Sequence, residues 1–132
     1  MIGMKVGFIG AGKVGFSLGK YLSENGIFVT GYYSRNLQSA EEAAHFTGSA
    51  FYKDLAHLVD SSDTIFITVP DRAISEVWND IRCFPIKNKN ICHCSGSISS
   101  AVFLYAEKYG AYCYSIHPLC AVSDKFTSYK EL

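Results

Sequence analysis

The chain has 132 residues, with 12 Lys and Arg balanced by 12 Asp and Glu, and 48% of its residues are apolar. That length and apolar content suit one domain with a real core. The zero net charge and the lack of a basic tract argue against nucleic acid as a partner, because phosphate neutralisation dominates such binding. No apolar run approaches the length of a membrane span, and Met1-Ile-Gly-Met-Lys5 leads straight into a strand instead of a leader peptide. The expectation is a cytoplasmic protein with no membrane partner.

The segment Lys5-Val-Gly-Phe-Ile-Gly-Ala-Gly-Lys-Val-Gly15 reads as a buried strand, Lys5–Ile9, running into Gly10-x-Gly12-x-x-Gly15. A helix follows from about Lys13 to Asn25, with Val14, Leu18, Tyr21 and Leu22 at helical spacing. Asn25-Gly26 ends it in a left-handed cap. This is the spacing of a dinucleotide fingerprint. Gly10 permits the turn out of the strand, Gly12 lets a pyrophosphate approach the backbone, and Gly15 lets helix and strand pack closely. The helix N-terminus offers N–H groups and partial positive charge to the phosphates. Gly10, Ala11, Gly12, Lys13, Val14 and Gly15 are therefore candidate cofactor contacts. The competing reading is a glycine turn of structural use only.

The second strand, Ile27–Tyr33, ends in Ser34-Arg35-Asn36, and no acidic residue lies between Glu24 and Glu41. An NAD site carries an Asp or Glu about 20 residues beyond the glycines to bind the ribose 2′-hydroxyl. A hydroxyl and a guanidinium suit a 2′-phosphate instead. Ser34, Arg35 and Asn36 are candidate contacts, and the cofactor expected is NADP. The plainer alternative makes Arg35 a solvated residue and Ser34 the cap of the next helix.

That helix spans about Leu37–Phe46, followed by a short strand at Ala50–Phe51 and a helix at Lys53–Val59. The run Thr64-Ile-Phe-Ile-Thr-Val69 is apolar on both faces, as a central parallel strand requires. Pro70-Asp71 breaks it and opens a helix over Arg72–Ile81. Val69, Pro70 and Asp71 would lie over the cofactor. A polar loop, Pro85–Asn90, leads to a strand at Asn90–Cys94. The turn from Ser95 to Ser100, with Ser95 and Gly96 as further cofactor contacts, leads into a helix at Ser99–Tyr109. A last strand, Ala111–His117, precedes Pro118.

This alternation of strand and helix implies an α/β fold, a Rossmann-type three-layer sandwich with a mostly parallel sheet and helices on both faces. Residues 1–118 form the nucleotide-binding domain; 119–132 form a C-terminal stub. The five cysteines, Cys83, Cys92, Cys94, Cys113 and Cys120, lack the spacing of a disulfide or zinc framework. In a strand, Cys92 and Cys94 share one face and His93 takes the other, so no metal site is expected. His93 reads as structural, and His45 and His57 as solvated on outer helices. His117 is the candidate proton carrier, since imidazole titrates near neutrality, with Ser97 placed to orient it.

The chain resembles the N-terminal half of the NADP-dependent oxidoreductases related to pyrroline-5-carboxylate reductase, the deazaflavin-dependent NADP oxidoreductases and the β-hydroxyacid dehydrogenases. Gly10-Ala-Gly-Lys-Val-Gly15, Tyr33-Ser-Arg-Asn36, Thr68-Val-Pro-Asp71 and Ser95-Gly-Ser97 carry the resemblance. Cys94-Ser-Gly-Ser97 and His117-Pro-Leu119 are similar to a Rossmann-like branch of this group. Prephenate dehydrogenases have a Ser and a His at the positions of Ser97 and His117 that act on the substrate hydroxyl; the rest of their substrate site finds no match. The resemblance implies hydride transfer between NADP and a small-molecule substrate of unidentified structure, with Ser97 and His117 catalytic. These families add a helical domain that builds the substrate pocket and the dimer interface, and in β-hydroxyacid dehydrogenases carries the catalytic Lys. By the resemblance this chain is the nucleotide-binding half, inactive alone and homodimeric in full-length form. The alternative is a dinucleotide-binding or sensing module with no reaction of its own.

Overall fold

A computed structural model describes residues 4–95 and 98–116. Strand and helix alternate from the start: β1 (Lys5–Ile9), α1 (Lys13–Glu24), β2 (Phe28–Tyr33), α2 (Leu37–Thr47), β3 (Ala50–Tyr52) and α3 (Leu55–Asp60). The second half follows with β4 (Thr64–Ile67), α4 (Asp71–Ile81), β5 (Asn90–His93), a 3-10 turn (Ser100–Val102), α5 (Ala106–Tyr109) and β6 (Tyr112–Ser115). The sheet order is β3-β2-β1-β4-β5-β6, and every pairing is parallel. Strand order therefore reverses between β1 and β4, and a crevice opens there beyond the strands' carboxyl ends.

Side chains alternate across each strand, so the sheet feeds two cores. Val6 and Phe8 of β1 join Phe16, Val29, Tyr32, Ala40 and Ala43 in the layer under α1 and α2. Ile9 joins Ile65, Ile67, Ile91 and Trp78 in the layer under α3 and α4. Trp78 is fully buried, and its Nε1 donates to the Leu104 carbonyl at 2.9 Å. The aromatic residues thus serve packing: Phe8 stacks on both Tyr32 and Phe66. A bulge between β1 and β2 skips Thr30, pairing Val6 with Val29 but Gly7 with Gly31. It leaves the buried Thr30 hydroxyl without a partner among the described residues.

One expected element is corrected. The single helix over Ser99–Tyr109 is instead a 3-10 turn and a short α5. Tyr105 takes a left-handed φ of 62° between them, and the Leu104 carbonyl that would serve the helix accepts the Trp78 indole instead. Strand β4 is shorter than expected, ending at Ile67 ahead of Pro70. Strand β6 runs Tyr112–Ser115, short of the expected Ala111–His117; Ile116 is already out of the strand and His117 lies outside the described residues.

Candidate functional site

Three loops meet where β1, β2 and β4 end. The Gly10 N–H donates to the Tyr33 carbonyl at 2.8 Å, and the Thr68 N–H donates to the Ile9 carbonyl at 2.8 Å. Thr68 Oγ1 donates to the Gly10 carbonyl at 2.9 Å. Gly10 has φ +104°, and a Cβ there would lie 2.6 Å from the Thr68 carbonyl oxygen, so a side chain fits neither the backbone nor the space. Gly15 packs against Thr68 too: its Cβ would lie 2.8 Å from the Gly10 carbonyl oxygen. Gly12 is the opposite case, since a Cβ there meets nothing within 4 Å among the described residues. It caps α1 with no side-chain hydrogen bond of its own.

These loops border a cleft of about 560 Å³, within the range of small-molecule sites. Gly10, Ala11 and Gly12 line one wall, Ser34 and Arg35 a second, and Val69 and Pro70 a third. A backbone cradle open at Gly12, with a guanidinium at the far end, fits a dinucleotide carrying an extra phosphate. Lys13, Val14 and Gly15 belong to the first turn of α1 behind this wall, and Asp71 opens α4; none of them lines the cleft.

Asn36 is the N-cap of α2, its side-chain oxygen accepting from the Ser39 N–H at 3.3 Å. The capping alternative considered for Ser34 thus falls to Asn36. Ser34 Oγ accepts from the Asn36 N–H at 3.3 Å and remains on the cleft wall. The Arg35 guanidinium is 72% exposed and pairs with Glu76 of α4, Nη2 to Oε1 at 2.6 Å.

Sequence reasoning missed several wall residues. Thr68 had a signal, since it opens the Thr68-Val-Pro-Asp71 segment. Arg72 and Glu76 lie one turn apart on α4 and both face the cleft. Nothing local in the sequence tells which side of α4 meets the end of β2.

Ser95 lies outside the cleft, beyond β5. Its N–H donates to His93 Nδ1 at 3.1 Å, and His93 Nε2 lies 3.0 Å from the Ser99 carbonyl oxygen. A carbonyl only accepts, so the ring proton sits on Nε2. His93 is fully buried and contacts the backbone of both Ser95 and Ser99. Gly96, Ser97 and His117 themselves lie outside the described residues, as does Cys120.

Burial pushes the Cys92 thiol up to about 12 and those of Cys94 and Cys113 up to about 11, with neighbouring thiols adding to the shift at Cys92. Among the described residues, no three His, Cys, Asp or Glu side chains are grouped to hold a metal ion. Among the same residues, no helix is long and apolar enough to cross a membrane.

A parallel sheet in this order, with a glycine turn at its switch point, defines the dinucleotide-binding class of α/β fold. Residues 5–92 match the family described as NADP oxidoreductase, coenzyme F420-dependent. The chain belongs to this family of NADP oxidoreductases, for which NADP is the cofactor.

Solved structures share the fold. A Bacteroides fragilis protein described as an NADP oxidoreductase is 24% identical with a TM-score of 0.79, over 92% of this chain and 46% of its own. Mycobacterium tuberculosis 3-hydroxyisobutyrate dehydrogenase is 19% identical with a TM-score of 0.79, over 92% and 42%. An imine reductase from a Pseudomonas species is 18% identical with a TM-score of 0.76, over 90% and 42%. The chain thus spans less than half the length of these proteins. No curated protein sequence matches it.

Proposed function

We propose that this chain is the cofactor half of an oxidoreductase that moves a hydride between NADP and a small-molecule substrate. The observation that carries the reading is the cleft itself. It joins the open glycine cradle at Gly12 to Ser34 and Arg35, with Val69 and Pro70 as its apolar side. In this reading the N–H groups of Lys13, Val14 and Gly15 face the pyrophosphate, and Arg35 holds the 2′-phosphate. NADP supplies the hydride chemistry when bound. The protein's own task is to position the nicotinamide and handle one proton.

Ser97 and His117 are the proposed proton-handling pair, supported by their match to the prephenate dehydrogenase positions. The His93 clamp on Ser95 and Ser99 would give the segment carrying Ser97 a fixed base. Ser95 and Gly96 belong to the same proposed loop, while Asn36 and Asp71 have a weaker claim to the cofactor because one caps α2 and the other stands off the cleft wall. A helical partner domain, a homodimer in full-length form and a cytoplasmic location complete the proposal.

The test is a calorimetric titration of the purified chain with NADPH and NADH at one stated salt concentration. NADPH bound at least about tenfold tighter supports the reading, and Arg35→Ala then removes that preference. Equal affinity for the two nucleotides assigns Arg35 to solvent. Binding of neither defeats the cofactor reading for this chain.

A further inference from the structure

We propose that Glu76 is a specificity-determining residue of the cleft: its carboxylate holds the Arg35 guanidinium in the nucleotide-free protein and is displaced by the 2′-phosphate of NADPH. This inference rests on the cofactor reading above and extends it to a residue on a different element. Arg35 follows β2 and Glu76 lies in the middle of α4, 41 positions apart in the chain, yet Nη2 and Oε1 are 2.6 Å apart. Both side chains are largely exposed, at 72% and 59%, and both line the cleft. The pair is therefore no part of either core, and the carboxylate takes a guanidinium donor that faces the cleft.

A carboxylate and a phosphate present the same oxygens to the same fork of guanidinium donors. Glu76 thus occupies the position that a 2′-phosphate needs. Asp80, one turn further along α4, also lines the cleft, so a phosphate dianion bound at Arg35 shares the cleft with two like charges, Glu76 and Asp80.

The displaced carboxylate has somewhere to go. Arg72 stands four residues before Glu76 on the same helix and lines the same cleft, a spacing at which side chains on a helix reach each other. Binding would exchange the Arg35–Glu76 pair for an Arg35–phosphate and an Arg72–Glu76 pair. NADH, lacking the phosphate, leaves the first pair intact. Glu76 therefore taxes NADPH alone and narrows the preference that Arg35 creates.

The experiment titrates wild type and Glu76→Gln with NADPH and with NADH by calorimetry, at low and at high salt. Gln keeps the size of the side chain and removes its charge. The expected result is NADPH bound about two- to fivefold tighter, the scale of an exposed ion pair, with NADH unchanged and the thermal midpoint preserved. The gain should shrink at high salt, where exposed charges are screened. Wild type that prefers NADPH, with Glu76→Gln leaving that preference unchanged or lowering it, overturns the role of Glu76 alone. An equal shift for both nucleotides overturns it as well. Wild type that binds neither nucleotide overturns the cofactor reading and the role of Glu76 together.

Discussion

The Thr68 hydroxyl donates to the Gly10 carbonyl at 2.9 Å, tying the end of β4 to the glycine turn after β1. The two strands are neighbours at the switch point, so this bond fixes the relative position of the glycine wall and the Val69-Pro70 wall. Gly15 packs against the same threonine, which brings the start of α1 into the unit. Thr68→Val keeps the shape and leaves the Gly10 carbonyl without that donor. The expected cost is about 1 kcal/mol of stability, read from urea unfolding, with a several-fold loss of NADPH affinity. Full nucleotide affinity in a destabilised variant would show that the walls are held by other contacts.

Gly12 and Gly15 should separate binding from folding. A Cβ at Gly12 meets nothing within 4 Å among the described residues, and the backbone there, at φ −78° and ψ −168°, is open to any L-residue. Gly12→Val should therefore fold normally while its side chain fills the space in front of the first turn of α1, abolishing NADPH binding. Gly15→Val should do the reverse, because its side chain runs into Thr68 and the Gly10 carbonyl. Overpacking of that kind costs about 1–3 kcal/mol. Thermal unfolding and calorimetry on both variants check the contrast; a Gly12→Val protein that binds NADPH normally removes the glycine turn from the site.

His93 offers a test of the loop after β5. Its ring accepts from the Ser95 N–H and contacts the Ser99 carbonyl, and it also packs against Phe103. His93→Phe preserves apolar contact but removes the acceptor of the Ser95 N–H, while the Ser99 carbonyl keeps the Val102 N–H. One lost hydrogen bond at half-buried Ser95 costs about 0.5–1.5 kcal/mol, so the urea midpoint should fall. Amide exchange at Ser95 should also accelerate, since its N–H loses its acceptor. Unchanged exchange at Ser95 would mean that the loop holds its shape without the imidazole.

The order of elements was legible because apolar runs are punctuated by Gly, Pro, Asn, Asp and Ser at the turns. Lys5–Ile9 lies where the pattern predicts, and β4 starts at the expected Thr64 but ends two residues early, at Ile67. The segment 99–109 misled because its composition is helical, whereas the break at Tyr105 is set by Trp78, some 26 residues earlier than the Leu104 carbonyl it binds. The cleft was half legible for the same reason. Gly10, Gly12 and Arg35 sit in recognisable loops. The approach of Glu76 to Arg35 depends on how α4 lies across the sheet, which is a property of the folded chain.

The raised thiols of Cys92, Cys94 and Cys113 should make stability fall in alkali. Burial raises Cys92 to about 12 and Cys94 and Cys113 to about 11, against about 8.5 for a solvated thiol. A group whose pKa is raised by folding binds its proton more tightly in the native state. Its contribution is complete below the unfolded value and is lost as pH rises toward the folded one. Tyr32, also raised by burial, acts in the same direction. Thermal midpoints should therefore hold from pH 7 to about 8.5 and decline steadily above it. Cys92→Ala, which removes the largest of the three thiol shifts, should make that decline shallower. A second readout separates the thiols from other alkaline effects. At pH 8 a thiol with a pKa of 11 is ionised in roughly one molecule in a thousand, so alkylation mapped by peptide mass should reach the exposed Cys83 long before Cys92, Cys94 or Cys113. Equal labelling of Cys83 and Cys92 at pH 8 would show that β5 opens to solvent far more often than its packing allows.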